Sequence, residues 1–157
     1  MKISLITVGT TKTACFLEGE NHYIQRLRHY SAVESKSVLP APIKPSTDTQ
    51  RVLQEEADRI LRVLPESNCV VIALDRKGES WSSLELADRI QEWLNRSVKR
   101  SVWIVGGAVG LGERVIKRSD YCFSLSKMTF PHEMVPVILL EQLYRSFTLI
   151  RGEKYHK

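Results

Sequence analysis

Apolar positions alternate between two spacings along the chain. Ile3 to Val8 is a β-rich apolar run ended by Gly9. Helical spacing follows, with Phe16, Tyr23, Leu27 and Tyr30 as the inner face. Val33 to Leu39 alternates weakly and predicts an edge strand. Pro40, Pro42 and Pro45 then forbid regular structure. Ser46, Thr47 and Asp48 offer N-caps for a helix to about Leu64, closed by Pro65. Its stripe is Val52, Leu53, Ile60, Leu61 and Leu64.

The run Cys69-Val70-Val71-Ile72-Ala73-Leu74 is continuously apolar up to Asp75. Such a run predicts a strand covered on both faces, the pattern of a parallel sheet. Arg76 to Glu79 is predicted as a turn. Ser82 and Glu85 have the spacing of a capping box for a helix through Trp93. The strand Val102–Val105 enters a glycine-rich loop, Gly106 to Gly112. A short helix over Glu113–Lys117 leads to a strand over Tyr121–Ser124. Residues from about His132 to Phe147 are predicted helical, with a tail from Thr148 to Lys157. Strands separated by helices define an α/β fold with a mainly parallel sheet sandwiched by helices. In such sheets ligands sit beyond the carboxyl ends of the strands. Those ends are Gly9, Asp75, Gly106 and Ser124-Leu125.

Composition narrows the class. The chain has 157 residues, which fits one domain over 1–157. It is 43% hydrophobic and 26% charged, so disorder, collagen and coiled coil do not describe it. Cys15, Cys69 and Cys122 are an odd number without a CxxC pair, which argues against a disulfide framework or a metal site. No apolar stretch approaches the ~20 residues needed to span a bilayer. The start has no apolar segment followed by a cleavage site. No membrane association and a cytoplasmic location are therefore expected.

The net charge of +5 is concentrated. Residues 96–118 carry six basic and one acidic side chain, and residues 145–157 carry four and one. A basic block suits phosphate contact, and it equally suits a solvated face. Charge by itself leaves both readings open.

Four segments carry candidate chemistry. Four glycines within Gly106-Gly107-Ala108-Val109-Gly110-Leu111-Gly112 let a backbone approach a ligand closely. Their spacing is neither the dinucleotide pattern nor a Walker loop, which disfavours a nucleotide-dependent oxidoreductase, the runner-up on fold alone. Ser124 to His132 combines small hydroxyls with apolar side chains and suits an adenine or a thioether. Glu141 and Arg145 stand four apart and can pair on one helix face. The tail Arg151-Gly152-Glu153-Lys154-Tyr155-His156-Lys157 suits phosphate contact and base stacking. Neither a Ser-His-Asp triad nor paired carboxylates support a hydrolase.

Taken in order, these segments are similar to the RlmH family, also called YbeA: SPOUT-class methyltransferases of large-subunit ribosomal RNA. The resemblance rests on Leu74-Asp75, Gly106 to Leu111, Ser124 to His132, Leu140-Glu141-Gln142-Leu143-Tyr144-Arg145 and Tyr155-His156. It runs the length of the chain and is most specific from Gly106 onward. It implies a deep trefoil knot in the C-terminal part, about residues 70–157, and S-adenosylmethionine as cofactor. It implies a homodimer in which the partner completes each site. It also implies methylation of N3 of a pseudouridine in large-subunit rRNA on the assembled ribosome, without a metal. The cofactor-binding residues it implies are Leu74, Gly106, Gly107, Gly110, Leu125, Ser126, Lys127, Met128, Thr129 and Phe130. Arg145, Tyr155 and His156 are the implied catalytic group, with His132, Arg151 and Lys154 on the substrate. One departure stands out: Pro136 occupies a place where relatives often carry Arg, which moves the expected helix start toward Val135. A SPOUT enzyme acting on tRNA and a non-catalytic ribosome-assembly factor on the same fold are the alternatives.

Overall fold

A computed structural model describes residues 1–155. Five strands form one sheet: β1 (Lys2–Val8), β2 (Val33–Val38), β3 (Cys69–Ser80), β4 (Arg100–Val105) and β5 (Tyr121–Ser124). Their spatial order is β2-β1-β4-β3-β5, with every pairing parallel. The helices are α1 (Ala14–Leu27), α2 (Thr49–Leu61), α3 (Ser83–Asn95), α4 (Glu113–Arg118) and α5 (Val135–Ile150).

The central strands show why the expected runs lack polar positions. Successive side chains point to opposite faces of a strand. In β4, Trp103 and Val105 enter one core while Val102 and Ile104 enter the other. In β3, Val70 and Ile72 face the first core, and Val71 and Ala73 the second. The first core is closed by α1, α3 and α5 through Leu27, Ile90, Trp93, Leu140 and Phe147. The second is closed by α2 and α4 through Ala57, Ile60 and Val115. Three layers follow: helices, sheet, helices. β2 stands at the expected sheet edge, but its four middle residues are all exposed, so its burial does not follow the weak alternation of its sequence.

Local chemistry explains the helix starts. Asp48 caps α2 by accepting the Gln50 N–H at 2.9 Å. Ser82 and Glu85 form the expected reciprocal capping box. The last helix begins at Val135 with Pro136 in its first turn, where a missing N–H costs no hydrogen bond. It starts later than His132 and runs on to Ile150, past the expected end at Phe147. The segment Arg76 to Glu79 departs from expectation. It belongs to β3, which leaves its ladder with β5 after Leu74 and rejoins it at Glu79.

Candidate cofactor-binding site

The carboxyl ends of β3, β4 and β5 lie side by side, and the loops leaving them enclose a cavity of about 740 Å³. That volume falls within the range of small-molecule pockets. One wall is Leu74 to Lys77, another Val105 to Leu111, and the third runs from Phe123 through Ser126 and Met128 to Phe130. His132 and Val135 close the side toward α5.

The glycine loop is a tight backbone turn. The Gly110 N–H donates to the Gly107 carbonyl at 3.1 Å, and Gly110 has φ +92°. Gly106 has no room for a side chain: a Cβ there would stand 2.6 Å from the Gly110 carbonyl oxygen. The turn therefore closes on itself only with glycine at 106, and its backbone forms the cavity wall.

The third wall is self-braced. The Ser124 hydroxyl donates to the Ser126 carbonyl at 2.9 Å, and Ser126 Oγ accepts the Met128 N–H at 3.0 Å. Its far end is tied to the first helix: Glu133 accepts the N–H groups of Lys12 and Thr13 at 3.2 and 3.1 Å. Those bonds, with the Thr13 hydroxyl first among them, hold the Glu133 carboxyl below the ordinary carboxylate range.

Of the residues expected at the cofactor, Leu74, Gly106, Gly107, Gly110, Leu125, Ser126, Met128, Thr129 and Phe130 line this cavity, as does His132. Lys127 is exposed and is not among the lining residues. Arg145 and Tyr155 lie elsewhere within the single chain, beside α1. Glu141 accepts from Arg145 Nε at 3.0 Å and from the Tyr155 hydroxyl at 3.3 Å. The Arg145 guanidinium lies 5.0 Å from the centre of the Tyr155 ring, which stands edge-on to Tyr144 at 4.8 Å. Burial, followed by the neighbouring Tyr23 and Glu141, pushes the Tyr155 phenol up to about 12. It therefore stays protonated at neutral pH. Arg151 and Lys154 are exposed beyond α5, and His156 lies outside the described residues.

Sequence reasoning missed two groups. Arg76 and Lys77 line the cavity, although the strand-end rule had pointed to Asp75 beside them. Glu56 of α2 is buried behind the glycine loop, and its place between Val52 and Ile60 at helical spacing was the available signal. Among the described residues, no group of three His, Cys, Asp or Glu side chains could hold a metal ion, and no helix is long and apolar enough to cross a membrane.

Comparison with known proteins bears on the family and the fold. Residues 1–156 match the family model described as "Predicted SPOUT methyltransferase". Two curated relatives named ribosomal RNA large subunit methyltransferase H align over the full length of both chains. The one from Symbiobacterium thermophilum is 41% identical and the one from Halothermothrix orenii 39%. Among solved structures, a probable methylase family protein from Haemophilus influenzae shares the fold with a TM-score of 0.53. It is 14% identical, and the match covers 99% of this chain and 70% of that one.

Proposed function

The chain belongs to the SPOUT methyltransferase family and, within it, to the ribosomal RNA large subunit methyltransferases H, and on that premise we propose that it methylates large-subunit rRNA with S-adenosylmethionine held between the ends of β3, β4 and β5. The observation that carries this reading is the cavity at Gly106, where a backbone-lined wall has no space for a Cβ. A ligand with an adenine, a ribose and a thioether-like chain suits such a mixture of bare backbone and the apolar side chains of Leu74, Leu125 and Phe130. Bound there, S-adenosylmethionine supplies an electrophilic methyl group.

The acceptor in this reading is N3 of a pseudouridine on the assembled ribosome, in the cytoplasm. That nitrogen carries a proton, so the protein must favour its anion. Arg145 is suited to oppose the charge that develops, because Glu141 and burial hold its guanidinium in one place. The Tyr155 phenol, with its proton retained, acts as a hydrogen-bond donor and orients the base. His156 is the proposed proton acceptor. Arg151, Lys154 and His132 contact the substrate.

Arg145 and Tyr155 do not line the cavity of their own chain, which favours a homodimer in which a second copy brings this group to the methyl donor. The proposal includes the deep trefoil knot of this class, from about residue 70 in a single domain over 1–157. Sedimentation at micromolar concentration should return a dimer mass.

The decisive test is tritium transfer from labelled cofactor to whole ribosomes, separated large subunits and naked rRNA. Label is expected in the large-subunit rRNA of whole ribosomes. Calorimetry that finds no binding of S-adenosylmethionine or S-adenosylhomocysteine would overturn the reading.

A further inference from the structure

The two stretches where β3 pairs with β5 share a partner. Leu74 stands opposite Phe123, and after four intervening residues Glu79 stands opposite the same Phe123. Asp75 to Gly78 are thereby expelled from the ladder with β5 as a short excursion, of which Asp75, Arg76 and Lys77 line the cavity.

The excursion is held in place. Asp75 Oδ1 accepts the Lys77 N–H at 2.8 Å. Gly78 is pressed on the backbone of β5, where a Cβ would meet the Cys122 carbonyl oxygen at 2.5 Å. Beyond it, Trp81 stacks on Phe123 at 4.5 Å and donates its indole N–H to Glu79 at 3.0 Å. Arg76 and Lys77 form the tip. Both side chains are exposed, both line the cavity, and neither has an ion-pair partner among the described residues.

We propose that Arg76 and Lys77 bind the RNA phosphates flanking the target nucleotide at the cavity rim. The assignment rests on the rRNA-methyltransferase reading above and adds to it a substrate contact made by the same chain that holds the cofactor. A pinned turn keeps the two cations at the rim, where solvent-facing phosphates can reach them. A guanidinium engages phosphate oxygens in pairs, and an ammonium adds a point charge. Such contacts position the RNA without reading its sequence. The bare backbone of Gly106 and Gly107 is left to serve the ligand that goes deeper.

The test is methyl transfer to whole ribosomes by Arg76→Ala, Lys77→Ala and the double variant across a range of salt, alongside calorimetry with S-adenosylmethionine alone. The double variant is expected to raise KM for ribosomes roughly tenfold, with kcat within about twofold. The dependence of log affinity on log salt should flatten by about 0.7 per cation removed. Cofactor affinity and melting temperature should stay at wild-type values. Unchanged KM and salt slope in variants of an active enzyme would overturn this assignment and leave the methyltransferase reading standing. Weakened cofactor binding would also overturn it, by placing the cations on the cofactor's carboxylate. Wild-type protein that labels no rRNA would overturn both.

Discussion

The carboxylate of Glu56 lies directly against Gly107: a Cβ on that glycine would stand 2.9 Å from Glu56 Oε2 and 3.3 Å from Oε1. Glu56 is 3% exposed. Its Oε1 accepts the Ala41 N–H at 3.0 Å, while Oε2 has no hydrogen-bond partner. One acidic side chain thus bridges the proline-rich connection after β2 and the glycine loop.

Burial raises the Glu56 carboxyl above its ordinary range, against the opposing pull of the Ala41 N–H and Arg59. A carboxyl raised in the folded state favours folding most below the unfolded value near 4.5, and that contribution is lost as pH rises through the folded value. Glu56→Gln keeps an acceptor for Ala41 and removes the titration. Its stability should fall less than that of wild type as pH rises from 4.5 toward neutrality. Urea unfolding of both proteins across that window measures the difference, and parallel curves would refute the expectation.

At Gly106 the obstacle to a side chain is backbone, with the Gly110 carbonyl carbon at 2.7 Å and its oxygen at 2.6 Å from a Cβ. Gly106→Ala must therefore open the loop. Overpacking of this kind costs about 1–3 kcal/mol of stability. Because the same loop is the cavity wall, cofactor affinity should drop at least ~10-fold, about 1.4 kcal/mol. Titration calorimetry at a temperature where the variant is folded checks this.

Glu133 couples the 125–130 wall to α1 by accepting two backbone N–H groups. Its carboxyl is lowered, so its contribution to stability is present above the unfolded value near 4.5 and is lost as pH falls through the folded value. Glu133→Gln should melt below wild type at neutral pH and approach it in acid. Thermal scans from pH 7 to pH 3 follow the convergence.

Tyr155→Phe retains the ring against Tyr144 and deletes the hydroxyl that Glu141 accepts. Cofactor affinity should be unchanged, because in the proposed dimer this hydroxyl orients the acceptor base and does not hold the cofactor. The single-turnover methylation rate should fall by ~10-fold, the scale of one lost positioning contact. The neutral limb of the pH–rate profile should persist, since a phenol pushed to about 12 does not titrate there.

The sequence carried whatever depends on neighbours a few residues away. The all-apolar run Cys69–Leu74 announced a strand buried on both faces, and Val71 and Ile72 are each 0% exposed. Ser82 and Glu85 announced a helix start because a capping box spans three residues. Glycine spacing marked the loop at 106–110 because its function is to remove side chains. Arg76 to Glu79 reads as a plain turn, whereas the observed excursion spans Asp75 to Gly78, because its course depends on Phe123, more than forty residues away in the chain. Glu56 is not singled out by the sequence, because the acid it resembles on an amphipathic helix is usually solvated, and its burial against Gly107 and Ala41 is settled by packing across the chain.

By itself the sequence determined the order of strands and helices, the layers they form and the loop segments that line the cavity, all of them encoded in local periodicity and turn chemistry. The tertiary structure alone decided that β3, β4 and β5 end side by side to make one cavity, that the exposed Arg76 and Lys77 line it, and that Arg145 and Tyr155 sit apart from it. Strand order and long-range register are settled by packing the whole core at once, and no short window of residues contains that information.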